Sequence, residues 1–330
     1  MAKPIIDFRE TEISRGVYYG GDAGAKDAVL YNGDAWMLKY PKNTRDLEDP
    51  QVSCTTSPLS EYLGSCIYAL AGIPVHETLL GVRNNRVVVA CKDFTRVRNA
   101  GQTQGFGRLA PDRLLVPFHD LKNSFMSSDL ESYSGTGSET LLDEVLATIH
   151  GLDILQSIPG VLTRFWDMFV VDAFIGNNDR NNGNWGILID TANGEASLAP
   201  VFDNGDAFFN KRSLAQMAKR LEDERSLRED ALHTTLSAYK YTGLDKEGHR
   251  INPFDYISQG ENPDCLAAVL RFVETLDFSA VEDMLRHIPE AFGNLAVMPE
   301  VQKEFYLALM RIRLNEGFLP MVRGQGVSQV

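Results

Sequence analysis

Cations are in short supply along this chain. Its 330 residues carry 32 Lys and Arg against 45 Asp and Glu, a formal charge of −13. That balance argues against an extended nucleic-acid surface, which rests on clustered Lys and Arg neutralising phosphates, but is compatible with a local basic groove. Cysteine is sparse as well. Cys54, Cys66, Cys91 and Cys265 share neither a metal-ligand spacing nor a disulfide-like pattern, and the six histidines are scattered. No apolar run reaches membrane-spanning length, and the opening MAKPIIDFRE lacks an apolar signal core. These absences predict a reduced, cytoplasmic setting without membrane contact. There is no internal repeat and no low-complexity tract. At 36.7 kDa, with 44% hydrophobic and 23% charged residues, the chain can bury a sizeable core in one large or two smaller domains.

The most informative stretch is 161–209. Val161 to Ile175 is a long apolar segment that reads as a buried helix, stopping at Gly176. A loop of Asn, Asp and Arg follows, GNNDRNNGN, broken only by Gly183. Two strand-like runs come next, Trp185–Ile189 and Ala196–Phe202, joined by a turn containing Asn193-Gly194 and ending in Asp203-Asn204-Gly205. Asn, Asp and Gly clusters commonly mark plain turns, because their side chains bond to nearby backbone. A calcium loop does not fit: counting from Asn177, the required glycine falls at Asn182 and the twelfth position is Leu188. What does fit is phosphoryl transfer. Asp179 would stand beside a hydroxyl, and Asn184 and Asp203 beside metal ions on a nucleotide.

The N-terminal part supports that chemistry more weakly. Residues 16–41 read as three strands with two turns, Asn32-Gly33 marking a hairpin and Pro41 ending the strand Trp36–Tyr40. Between the first two strands lies a small-residue loop, Gly20, Gly21, Asp22, Ala23, Gly24, Ala25 and Lys26. Glycines let backbone N–H groups approach phosphate oxygens closely. This loop is neither GxxxxGKS/T nor GxGxxG, and an ordinary hairpin is the alternative. Lys39, on an otherwise apolar strand, is either a solvated face residue or a phosphate-gripping lysine. Ser57-Pro58 opens a helix running to about Ala71, with Leu59, Leu63, Cys66 and Leu70 as its apolar stripe. Glu61 lies roughly opposite, as a solvent-facing residue or as the ion-pair partner of Lys39. Val75–Leu80 and Arg86–Cys91 read as two more strands, followed by a hinge at Cys91-Lys92-Asp93-Phe94 whose backbone could bond an adenine edge. Residues 96–137 read as polar loop. From Ser138 onward the chain reads as mainly helical, with segments at Ser138–Ser157, Leu214–Arg228, Asp264–Glu274, Ser279–Arg286 and Val301–Leu314.

Three pieces together, GIPVHETLLG after a helix with Ser60-Glu61, the GNNDRNNGNWGIL loop and LAPVFDNG, resemble the HipA-like serine/threonine kinase family. The opening GGDAGAK and YNGDAWMLKYP is similar to its compact CtkA-type branch. The resemblance runs from about residue 16 to about 320. It implies an α+β, protein-kinase-like two-lobed fold, with a small β-rich N-lobe over 1–95 and a larger, mainly helical C-lobe over 96–330. It further implies an ATP- and Mg²⁺-dependent kinase acting on protein Ser/Thr hydroxyls, with autophosphorylation. Asp179 would be the catalytic base, with Arg180 neutralising phosphate charge beside it. Asn184 and Asp203 would hold Mg²⁺. Lys39, paired with Glu61, would grip ATP phosphates under a loop formed by Gly20, Gly21, Asp22, Ala23, Gly24 and Lys26. A protein substrate is implied, and an antitoxin-type partner is compatible with it. A small-molecule phosphotransferase of similar fold and a nucleotide-binding pseudokinase or interaction module stay open as alternatives. The base loop has Asn-Asn-Asp where eukaryotic protein kinases have His-Arg-Asp, and the metal loop reads Asp-Asn-Gly instead of Asp-Phe-Gly. No Ser or Thr lies between Gly16 and Pro41, so a loop-serine off switch, known in some relatives, is not expected. Autophosphorylation is expected outside 16–41, at Ser14 or within 124–140.

Overall fold

The computed structural model describes residues 4–20, 25–46, 52–96, 111–129, 135–242 and 248–324. Its N-terminal part is a five-stranded sheet in the order β1-β4-β5-β3-β2. The strands are β1 (Ile6–Asp7), β2 (Lys26–Tyr31), β3 (Asp34–Lys39), β4 (Thr78–Arg83) and β5 (Arg86–Lys92). β1 pairs with β4 in parallel, and every other pair is antiparallel. Two tight turns set the registers. Asn32 and Gly33 have φ of 51° and 82°, and Asn84 and Asn85 have 50° and 55°. Both pairs therefore have the two left-handed central residues whose twist matches flanking strands. Residues 16–41 hold two described strands, not three; ahead of them, Ile13 makes only an isolated bridge to Val29. The fifth strand is instead β1, whose parallel pairing no local turn signal announces.

The sheet has two buried faces, because side chains alternate along each strand. Trp36, Leu38, Val88 and Ala90 pack with Phe8 on one face. Met37, Val89 and Cys91 face the main core and helix α1 (Ser57–Leu70). That helix has a proline in its first turn and ends before Gly72, whose φ is 72°. Its N-cap is Thr56, with Ser57 as the first helical residue. An apolar stripe understates its burial, since eleven of its residues from Ser57 to Tyr68 are buried.

The remainder is mainly helical. The segment expected as loop contains β6 (Arg113–Pro117) and α2 (Phe118–Asp129). β6 becomes a strand by pairing with β7 (Gly186–Asp190), which also pairs with β8 (Ala196–Leu198). Phe118 then stacks on Trp185, ring centroids 4.1 Å apart. The helix expected over Ser138–Ser157 is split into α3 (Leu142–Gly151) and α4 (Asp153–Ser157) by the extended Leu152. Helix α5 spans Val161–Ile175, bounded by Gly160 and Gly176 with φ of 79° and 68°. Packed among α1, α3, α6 (Pro253–Gln259) and α7 (Pro263–Thr275), it is the central helix of the core. No helix is long and apolar enough to cross a membrane among the described residues.

Candidate active site

Between the sheet and the helices lies a cavity of about 600 Å³. Strand alternation brings Lys39 into it, since Lys39 shares a face with Met37 and pairs in register with Val89 of β5. The loop after α5 brings Asp179, Asn181 and Asn184 to the opposite wall, and the chain beyond β8 brings Phe202 and Asp203. The residues that the sequence placed on separate segments thus meet around one space.

Lys39 Nζ lies 2.9 Å from Glu61 Oε2 and 2.9 Å from Asp203 Oδ1. Burial works against the ammonium charge, but Asp203 and Glu61 outweigh it and hold Lys39 well above the ordinary lysine value. Burial opposes the Glu61 carboxylate too. Lys39, His76 and the Asn204 backbone hold it well below the usual carboxylate range. Glu61 Oε1 lies 2.9 Å from His76 Nε2 and accepts from Asn204 N–H at 3.0 Å. A carboxylate only accepts, so His76 carries its proton on Nε2. Ser65 Oγ completes this cluster, 3.2 Å from His76 Nε2 and accepting from Asn204 Nδ2 at 3.1 Å. Glu61, His76 and Cys91 present ligand-type atoms within 4.8 Å of one another. Both Glu61 oxygens are already committed, however, and burial pushes the Cys91 thiol up, so it stays protonated. Glu61 and His76 are a hydrogen-bonded support for Lys39, and the trio is not a metal centre.

Asp179 is half-buried, and burial together with Asp206 and Asp203 raises its carboxyl above the ordinary aspartate value, although Asn181 Nδ2 donates to Oδ1 at 2.9 Å. Asn184 Nδ2 donates to the Asp179 carbonyl at 2.6 Å. With its nitrogen committed, the Asn184 oxygen is the atom left for a cation. One amide oxygen and one carboxylate make a hard oxygen donor set, suited to a small divalent cation. Asp203 is held with φ of 61°, an uncommon conformation for a residue with a side chain and one typical of functional turns.

Arg180 departs from its expected role. It is 2% exposed, and its five donors are all used within the protein. Nε donates to Asp172 Oδ2 at 2.8 Å, and Nη2 to Asp172 Oδ1 and to Asn204 Oδ1. Nη1 donates to the carbonyls of Asn184, at 2.8 Å, and Phe202. Asp172 also accepts from Tyr68 and Asn177. Arg180 therefore ties α5, the Asp179 loop and the Asp203 loop together, with no donor left for phosphate. A signal was available: Asp172 is a carboxylate inside an apolar helix, and a buried carboxylate requires a partner. Gly64 was also overlooked. A Cβ there would lie 2.7 Å from Asn204 Cβ, so α1 approaches the Asp203 loop only because position 64 has no side chain.

Of the small-residue loop, Gly21, Asp22, Ala23 and Gly24 lie outside the described residues. Gly20 lines the cavity, and its carbonyl accepts from Lys26 Nζ at 2.7 Å. Lys26 begins β2, so it belongs to the strand and not to the loop, and it lines the same cavity from there. Tyr19 Oη donates to Asp93 Oδ2 at 2.8 Å, fixing the start of the loop to the end of β5. At the expected hinge, Lys92 N–H donates to Glu77 O and Asp93 N–H to Ala35 O, so both donors are committed to the sheet.

No protein-family model matches the chain. It is 33% identical over 314 residues to the serine/threonine-protein kinase CtkA of Helicobacter pylori, covering 95% of this chain and 86% of that protein. The chain belongs to the CtkA-type serine/threonine kinases. The crystal structure of the Helicobacter pylori proinflammatory kinase CtkA superposes on this kinase with a TM-score of 0.81 at 30% identity, covering 98% of this chain and all of that one. A more distant likeness is to HipA in a Shewanella oneidensis HipA–HipB–operator DNA complex. It has a TM-score of 0.48 and 12% identity over 96% of this chain and 70% of that one, and informs neither site nor partner. The expected α+β, protein-kinase-like two-lobed fold is the fold of this enzyme.

Proposed function

We propose that this kinase transfers the γ-phosphate of ATP to Ser or Thr hydroxyls of a protein, in a cleft between an N-lobe of 1–95 and a C-lobe of 96–330. The observation that carries the reading is the convergence of Lys39, Asp179, Asn184 and Asp203 on one cavity, with Lys39 already paired to Glu61. In protein kinases the lysine–glutamate pair and the metal-loop aspartate must both be in place for transfer. Asp179 accepts the hydroxyl proton as the oxygen attacks, and its raised pKa brings its basicity closer to the working pH. Lys39 holds phosphate oxygens, with Glu61, His76 and Asn204 fixing its position. Met37, Leu115 and Phe202 supply an apolar lining for the base. Asn184 and Asp203 would hold Mg²⁺, which neutralises the charge on the phosphates. Autophosphorylation belongs to the same reading, with acceptors outside 16–41.

The test is mass spectrometry of the purified chain and of a generic protein acceptor after incubation with ATP and Mg²⁺. Added phosphate on Ser or Thr is expected, and its absence from both, with nucleotide still bound, would overturn the reading. In parallel, Asp203→Ala should weaken ATP binding with Mg²⁺ present and match the parent in EDTA. Equal affinities with Mg²⁺ would remove Asp203 from the metal site.

A further inference from the structure

A second cavity, of about 640 Å³, opens beside the catalytic cleft where the chain leaves β3. Three cations line it: Lys42 and Arg45 from the segment after β3, and Arg86 from the start of β5. No carboxylate is among the described residues that line it. None of the three makes an ion pair with a described residue, whereas Lys92, Arg96, Lys211 and Arg212 each touch a carboxylate. In a chain of net charge −13, three cations around one space, Arg45 and Arg86 among them with no carboxylate partner among the described residues, form a localised site for negative charge. Lys42 also lines the catalytic cavity and a smaller one shared with Asp179 and Asp203, so the basic cavity adjoins the place where the hydroxyl would react.

We propose that this cavity receives an acidic side chain of the protein substrate, within a few residues of the phosphorylated Ser or Thr. The inference rests on the reading of the Asp179 cleft as the site of transfer. Charge complementarity selects the occupant class. Because Lys42 borders both cavities, an acidic side chain in one and the acceptor hydroxyl in the other can belong to one polypeptide, an extended chain advancing about 3.3–3.6 Å per residue. Arg45 and Arg86 are exposed and stand outside the transfer machinery, so they set substrate preference and not turnover. Ser53, which lines the same cavity, adds polar surface around the anion.

The experiment pairs a transfer assay with a binding assay on the full chain. Peptides with one Ser, and Asp or Glu scanned through neighbouring positions, are compared with Asn and Gln versions. An Arg45→Gln/Arg86→Gln double variant is run beside the parent, with Arg286→Gln/Arg323→Gln as a control for overall charge. The parent should favour an acidic peptide by about tenfold in kcat/KM, the scale of one hydrogen bond to a charged group. The double variant should lose that preference while keeping its rate on the neutral peptide and its KM for ATP. The control pair should retain it. Non-acceptor peptides, with Ala for Ser, should bind by fluorescence anisotropy with the same preference and the same loss. If no peptide is phosphorylated but this binding preference holds, the transfer reading fails and the acidic site stands. Equal binding of acidic and neutral non-acceptor peptides, an equal loss in the control pair, or preferred binding of a single-stranded oligonucleotide in the same cavity would overturn it.

Discussion

Lys39 and Arg180 are both cations buried against carboxylates, and both touch the Asp203–Asn204 segment, yet their surroundings differ. Every donor of Arg180 has a fixed partner in the protein, and Asp172 beneath it is saturated by Tyr68 and Asn177. Lys39 has two carboxylate partners and 13% exposure of its side chain into an open cavity. A closed cluster holds elements together, since breaking it strands an uncompensated charge. An open cluster can exchange a partner for a ligand. Arg180 therefore fixes the loops on which Asp179 and Asp203 stand, and Lys39 remains available to a phosphate.

The largest effect should come on the open side. Asp179→Asn is expected to lower phosphoryl transfer by about 10²–10⁴-fold with ATP binding largely retained. Burial disfavours the ionised form of Asp179, so at pH values above its folded pKa the native carboxylate opposes stability. The same variant should accordingly melt at or above the parent temperature. A variant keeping more than about a tenth of the parent rate would remove Asp179 from the role of base.

On the closed side, Arg180→Ala should destabilise the fold by about 3–5 kcal/mol, the usual result of removing one partner of a buried pair. Urea denaturation reads this directly. Arg180→Met combined with Asp172→Asn should recover part of the loss, because the stranded charge is gone. An unchanged midpoint for Arg180→Ala would erase the contrast between the two clusters.

Gly64→Ala tests the junction between them. Alanine favours a helix, yet its Cβ would meet Asn204 Cβ at 2.7 Å, and overpacking of this kind costs about 1–3 kcal/mol. Transfer activity should fall more than stability, because Asn204 anchors Glu61 and neighbours Asp203. Parent-like activity would mean that α1 tolerates a wider approach.

The smallest effect concerns pH. Transfer needs ionised Asp179, so activity should fall as pH drops through its raised pKa. Asp206 is held below the ordinary aspartate value: burial works the other way, but Asn210, Lys211 and Lys42 outweigh it. It is therefore ionised there and contributes to raising Asp179. Asp206→Asn should move the acidic limb of the kcat profile to lower pH. A limb that stays in place would leave burial and Asp203 as the causes.

Local chemistry made the centre of the molecule readable. Val161–Ile175 is predominantly apolar and bounded by glycines, so its ends were set by backbone conformation. Asn32-Gly33 and Asn84-Asn85 likewise specify turns through their tolerance of left-handed geometry. The spacing of Asp179, Asn184 and Asp203 follows from one loop and one hairpin, and so needs no distant contact to be recognised. Tertiary structure decided the rest. β1 exists through parallel pairing with β4, and β6 through pairing with β7 across about seventy residues, because a strand's hydrogen bonds are made with a partner that its own sequence does not name. The position of Arg180 is of the same kind. Adjacent to Asp179, its sequence position suggested the cleft. The carboxylate of Asp172, one helix turn before the loop, drew it into the core, since a buried charge takes the partner that compensates it.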